Sequence, residues 1–244
     1  MQIDKIILWI EQHADERIKA IYQKNNPMIV QGVKLTELRA LAKQIGHDST
    51  LALKLYALNI YETMMLATMI ANPDEIQYEQ IMTWAKQAHQ TNIIDQGLNQ
   101  LMLAHPKDYL LFLSWCESDD HDLRYAGFSF LSAYYRHVNL NEMDDNVNQQ
   151  LLHRIEQTIS HEPLSIQNAM NNAVVMAGLH VPLLVELAKE VADKIGYILP
   201  LKAKNACNIQ SASDYINRYI NQPKFSRVAK LKLQMKDVTH DGIL

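Results

Sequence analysis

Apolar residues recur every three or four positions along most of the chain, and short polar breaks divide the runs. Ile3, Ile6, Ile7, Ile10, Ala14, Ile18 and Ile21 trace a stripe over residues 3–24, predicting an amphipathic helix that Asn25, Asn26 and Pro27 end. After a turn at Gly32, Leu38, Leu41, Ala42 and Ile45 mark a second helix with Gly46 as its C-terminal cap. Residues 49–72 read as one helix stopped by Asn72-Pro73, and Ile81, Trp84, Ala85 and Ala88 share a face of the next, 76–88. Three shorter helices follow at 92–104, 106–116 and about 121–137, the second opening with Pro106 where a helix tolerates it. The pattern then repeats at 144–160, 163–180, 182–196 and 212–222, with a closing segment at 223–244.

Successive helix pairs at a spacing of about 40 residues are the signature of HEAT-like α-solenoids, in which each pair buries its apolar faces by stacking on its neighbours. The expected fold is therefore all-α, an α-α superhelix with one concave face, built as a single domain over 1–244 with a basic C-terminal helix from 222. Composition agrees: 244 residues, 48% hydrophobic, with only seven Gly and seven Pro. The two cysteines, Cys116 and Cys207, form no metal-binding cluster. No stretch approaches the ~20 apolar residues of a membrane span. A cytoplasmic protein is expected. Net charge is −4 and the pI about 6.2, which argues against indiscriminate coating of nucleic acid but leaves room for a local basic surface.

Two charges sit in apolar company. Asp95 follows Ile93 and Ile94 and precedes Leu98, Leu101 and Met102; Arg124 lies among Leu123, Ala126, Gly127, Phe130 and Leu131. Charges beside a core need partners. They read either as structural ion pairs and caps or as a functional site. The acidic loop ESDDHD at 117–122 reads as capping for the helix after it, since it lacks the Gly of a calcium loop. His105, His121, His137 and His153 are spaced sixteen apart, a step that advances about 160° on a helix, so they read as scattered surface residues. Met64, Met65, Met69, Met170 and Met176 read as core filler. Asn168, Asn171 and Asn172 on an otherwise apolar helix need partners, and they either bridge helices or line the concave face. Lys224, Arg227, Lys230, Lys232 and Lys236 make the closing helix either phosphate-facing or simply soluble. No phosphate loop, GxSxG elbow or HExxH is present.

GVKLTELRALAKQIG at 32–46, ETMMLATMIANPDEI at 62–76, IMTWAKQAHQTNIID at 81–95, DLRYAGF at 122–128 and IQNAMNNAVVMAG at 166–178 occur in the order and spacing of the AlkD-type DNA alkylation repair enzymes. The chain resembles a divergent bacterial branch of that family over about residues 20–220. The resemblance implies a monofunctional glycosylase that releases cationic alkylated purines, such as 3-methyladenine and 7-methylguanine, from duplex DNA without metal or cofactor. It places the catalytic aspartate at Asp95 and a backbone-contacting arginine at Arg124. A carboxylate there would stabilise an oxocarbenium-like sugar while the charged purine leaves. The chain departs from the family at Thr91 and Asn172, where typical members carry tryptophans against the deoxyribose. Each such aromatic contact is worth about 1–2 kcal/mol when desolvated. Trp84 and Tyr125 are the nearest aromatics, and Trp84 reads as core. The expected DNA-facing set is Arg124, Thr91, Asn172, Lys224, Arg227 and Lys230. Two readings stand open: an active glycosylase, or a DNA- or protein-binding relative that no longer excises bases.

Overall fold

The computed structural model describes residues 2–24, 26, 28–89, 92–198 and 208–241, with side chains to 235. Thr91, Cys207 and the side chain of Lys236 lie outside this set. The described residues are helical throughout, without a strand, apart from isolated bridges joining Ile29 to Ile60 and Tyr197 to Ser211. None of their helices is long and apolar enough to cross a membrane. The chain forms two compact units, Met1–Phe112 and Leu113–Leu244.

The first unit holds α1 (Ile3–Gln12), α2 (Glu16–Gln23), α3 (Leu35–Ile45), α4 (Ser49–Tyr56), α5 (Tyr61–Ile70), α6 (Tyr78–Gln87) and α7 (Asn99–Leu103). The stripe over 3–24 is thus two helices rather than one. Asp15 interrupts it, because its Oδ1 accepts from the amides of Arg17 (2.8 Å) and Ile18 (3.2 Å) and so caps α2. Residues 49–72 also divide. Asn59 adopts φ 55°, a left-handed turn that Asn tolerates, and the Tyr61 amide is anchored on the Ile29 carbonyl at 2.9 Å. α5 is buried on nearly every side and packs against α3 and α4. Trp84 stacks on Tyr56 at 4.4 Å, and the Tyr56 hydroxyl donates to the Trp84 carbonyl, so Trp84 belongs to the core. His105 is not a scattered surface residue: its ring nitrogens lie 2.8 and 2.9 Å from the Leu101 and Ile76 carbonyls.

One buried acid, Glu62, organises the approach to α3. It is fully buried at the second position of α5 and accepts from the amides of Gln31 (3.0 Å), Gly32 (2.7 Å) and Val33 (3.3 Å). Gly32 sits at φ +99°, and a Cβ there would collide with the Asp15 carbonyl and with Lys19.

The second unit comprises α8 (Tyr109–Ser114, which starts just before the boundary), α9 (His121–His137), α10 (Asp145–Thr158), α11 (Leu164–His180), α12 (Val185–Ile195), α13 (Ala212–Tyr219) and α14 (Arg227–Asp241). Asp120 caps α9 by accepting from the amides of Asp122 and Leu123, the role expected of the acidic loop. The α9–α11 pair forms the centre, α12 and α13 flank α11, and the first turns of α14 close its far end. Gly127 lets α9 approach the 3-10 turn Trp115–Glu117, where an added Cβ would strike backbone. Burial pushes the Cys116 thiol well above the ordinary thiol range, so it is a packing residue.

Candidate nucleic-acid interface

In the first unit, Asp95 sits within a π-helical turn, Ile94–Leu98, whose Ile94, Gly97 and Leu98 face the core. Such turns often mark functional positions because the extra residue re-aims its neighbours. Gly97 is required, since a Cβ would overlap Thr68 Oγ1 on α5. Asp95 is left half-exposed along a cleft of about 420 Å³ that also takes in Arg39, His47, Met69, Gln96 and Gln100. Arg39 Nη2 donates to Gln96 Oε1 at 3.1 Å, which ties α3 to the residue beside Asp95. A second hollow of about 320 Å³ shares Arg39, His47 and Met69 and adds Lys43, one turn beyond Arg39 on α3. The carboxylate therefore shares its cleft with one permanent cation, Arg39, and a histidine, while Lys43 lines the adjoining hollow. None of the described residues lining the cleft is a tryptophan, tyrosine or phenylalanine. Tyr61 is nearby, within electrostatic reach of Asp95 and hydrogen-bonded to Asn92; burial raises its phenol pKa well above normal, and the negative charges of Glu62 and Asp95 reinforce that.

In the second unit, Arg124 is engaged within the protein. Its Nη2 donates to Glu162 Oε2 at 3.0 Å, its Nε lies 2.9 Å from Oε1 as an ion-pair contact, and its Nη1 donates to the Ser118 carbonyl. The two side chains are only 11% and 10% exposed. This is the ion pair that one reading of the sequence anticipated. Asn172 is half-buried on α11, whereas its neighbour Asn171 is fully buried and donates to the Ile209 carbonyl at 2.9 Å, bridging α11 to the segment before α13.

Lys224, Arg227 and Lys230 come together at the start of α14. They line a pocket of about 380 Å³ with Arg136 from the end of α9 and His180 from the end of α11. Sequence reasoning missed the last two, whose only signal was a basic residue in the last turn of each helix. Burial and the adjacent Arg136, Arg227 and His137 lower the His180 pKa to about 4. The folded chain thus resists a proton that the unfolded chain accepts at its ordinary value near 6.5. Stability contributed here is complete above pH ~6.5 and is lost as pH falls toward about 4. Urea midpoints should fall over that window, and His180→Gln should flatten part of the decline; an unchanged profile in that variant would contradict the assignment.

Among the described residues, no group of three or more His, Cys, Asp or Glu is arranged to hold a metal ion. Comparison with known proteins bears on what these surfaces serve. No curated protein sequence matches the chain. A solved structure described as one of a new family of proteins related to the HEAT-like repeat DNA glycosylases, with affinity for branched DNA structures, superposes with a TM-score of 0.81. It is 24% identical, and the match covers 93% of this chain and 98% of that one. The superposition establishes the HEAT-like helical-repeat fold. The family model described as DNA alkylation repair enzyme matches residues 6–192, and the chain belongs to that family.

Proposed function

We propose that the protein binds DNA in the cytoplasm, with preference for branched or distorted duplexes, and that it contributes little base excision. The observation that carries this reading is the Asp95 cleft: one carboxylate shares it with Arg39, Lys43 lines the adjoining hollow, and no tryptophan, tyrosine or phenylalanine is among the described lining residues. Cations there suit backbone phosphates, and phosphate contacts hold DNA without reading its sequence. A sugar beside Asp95 would meet a carboxylate but none of these three rings, among the described lining residues, to shelter a developing cation. Asn172 is the other position where an aromatic wall is replaced, and Thr91 removes the first. Lys224, Arg227 and Lys230 would add phosphate contacts in the second unit, with Arg124 acting through the pair it forms with Glu162. The affinity of the structurally similar protein for branched DNA supports the choice of ligand.

The second reading is a cofactor-free glycosylase acting on 3-methyladenine and 7-methylguanine. It is favoured by one observation, the half-exposed Asp95 carboxylate that a π-helical turn directs along an open cleft. An alkylated purine leaves already charged, so a carboxylate alone can assist.

One experiment separates the two. Purine release from methylated duplex DNA is measured for wild type and Asp95→Asn, alongside binding to a four-way junction and to a linear duplex at two salt concentrations. The expected result is salt-sensitive binding, tighter for the junction, unchanged in the variant, with release near the uncatalysed level. Release that disappears in Asp95→Asn establishes the glycosylase, and absence of DNA binding overturns both readings.

A further inference from the structure

The pocket at the start of α14 collects Arg136, Lys224, Arg227 and Lys230 around His180, with no carboxylate among its described lining residues. Those cations repel one another, and an anion in the pocket relieves that repulsion. Three of the cations contact neutral groups. Arg227 Nη1 donates to the Val138 carbonyl at 2.7 Å, and Arg136 Nη2 meets the weak thioether acceptor of Met176 at 3.4 Å. Lys224 lies 5.5 Å above the Phe225 ring. Each contact fixes a cation without neutralising it.

The walls are equally fixed. Buried Ser226 donates its hydroxyl to the Leu179 carbonyl at 3.0 Å and accepts from the Ala229 amide at 3.1 Å, tying the start of α14 to the end of α11. The positive end of the α14 dipole adds to the field of the side chains. At about 380 Å³ the pocket lies at the small end of ligand sites, which run from about 300 to 1,000 Å³.

We infer that this pocket is a seat for a single phosphate group, the tetrahedral oxyanion of a phosphate ester, held by Arg136, Arg227 and Lys230. It rests on the DNA-binding reading only for the source of the phosphate, either a backbone phosphodiester or the 5′-phosphate at a strand end. His180 gives the seat a proton linkage. The charged or titratable groups facing it are Arg136 and His137 from α9 and Arg227 from α14, all of which oppose its protonation. A bound oxyanion offsets that repulsion and raises the His180 pKa from about 4, so binding takes up a proton and strengthens as pH falls.

The test is a titration of the full chain with sodium sulfate, whose charge is constant over the range, at fixed ionic strength and at pH 7.5 and 5.5. Calorimetry and amide chemical shifts report binding. The expected result is one saturable site, weakened about tenfold by Lys230→Gln or Arg136→Gln, as loss of a charge-assisted contact implies. Lys189→Gln, which removes a half-exposed cation on α12 paired with Glu186, should leave it unchanged. The gain at pH 5.5 should be absent in His180→Gln. Lys230 is exposed and Lys189 half-exposed, and melting temperatures of both variants keep unfolding from confusing the comparison. Non-saturable binding, or equal binding in Lys189→Gln and Lys230→Gln, overturns the inference.

The source follows from duplexes of one sequence with and without a 5′-phosphate. Binding that drops on dephosphorylation in wild type, but not in Lys230→Gln, assigns the strand end; a Lys230→Gln defect independent of the 5′-phosphate assigns the backbone. A wild type that takes sulfate in this pocket but binds no DNA overturns the proposed function while upholding the phosphate seat.

Discussion

Glu62→Ala is expected to lower folding stability by about 3–5 kcal/mol, a large share of the 5–15 kcal/mol that holds a typical domain together. The carboxylate is the acceptor for three consecutive backbone amides, those of Gln31, Gly32 and Val33, inside the first unit. Alanine leaves donors facing a cavity that water reaches poorly, and each unsatisfied buried donor costs about 1–3 kcal/mol. Glu62→Gln keeps an acceptor for Gly32 and Val33 but can turn an amide N–H2 toward the Gln31 N–H, so about half the loss is expected. Urea midpoints and melting temperatures check the order wild type, Gln, Ala. Values for both variants within about 1 kcal/mol of wild type would show that the turn holds itself. The consequence extends to function, because residues 31–33 deliver the chain into α3, which carries Arg39 to the Asp95 cleft and Lys43 to the adjoining hollow. A loosened turn should weaken DNA binding through the placement of these two cations, even at temperatures where the fold persists.

Glu62 also marks the limit of what the sequence discloses. Helices and their breaks were legible wherever the signal was local: Gly46 and Gly196 end helices at positive φ, Asp120 and Asp144 cap them, and Pro106 opens a turn. Two long stripes were read as single helices because periodicity persists through a break. At 13–15 and 57–60 contacts from elsewhere also anchor the interruption, Asp15 with Gly32 and Tyr61 with Ile29. Glu62 itself looks like an ordinary surface acid in a first helical turn. Its partners lie about thirty residues earlier in the chain, and no period or spacing connects them. The sites divide in the same way. Asp95 announced itself by its apolar neighbours, and Lys224, Arg227 and Lys230 by local charge density. Arg136 and His180 join that cluster only because α9, α11 and α14 end or begin at one place.

Arg124→Met is expected to cost about 3–5 kcal/mol, because it strands the Glu162 carboxylate in a site where each partner is only about a tenth exposed. Replacing both residues, Arg124→Met with Glu162→Met, should recover most of that loss, since a buried ion pair repays little more than its own desolvation when apolar side chains of similar volume fill the space. The cycle should yield a coupling of about 2 kcal/mol or more, measured by urea denaturation. It also resolves the two roles that a guanidinium in this position can serve. In the protein, Arg124 donates to Glu162 and to the Ser118 carbonyl, joining the loop before α9 to the turn before α11. A phosphate would have to share those donors or displace Glu162. If the double variant regains stability and binds DNA as wild type does, Arg124 serves the fold. If it regains stability yet binds DNA about tenfold more weakly, as loss of one charge-assisted phosphate contact implies, the guanidinium contacts the backbone from within its ion pair. A double variant as unstable as Arg124→Met would contradict the pairing itself.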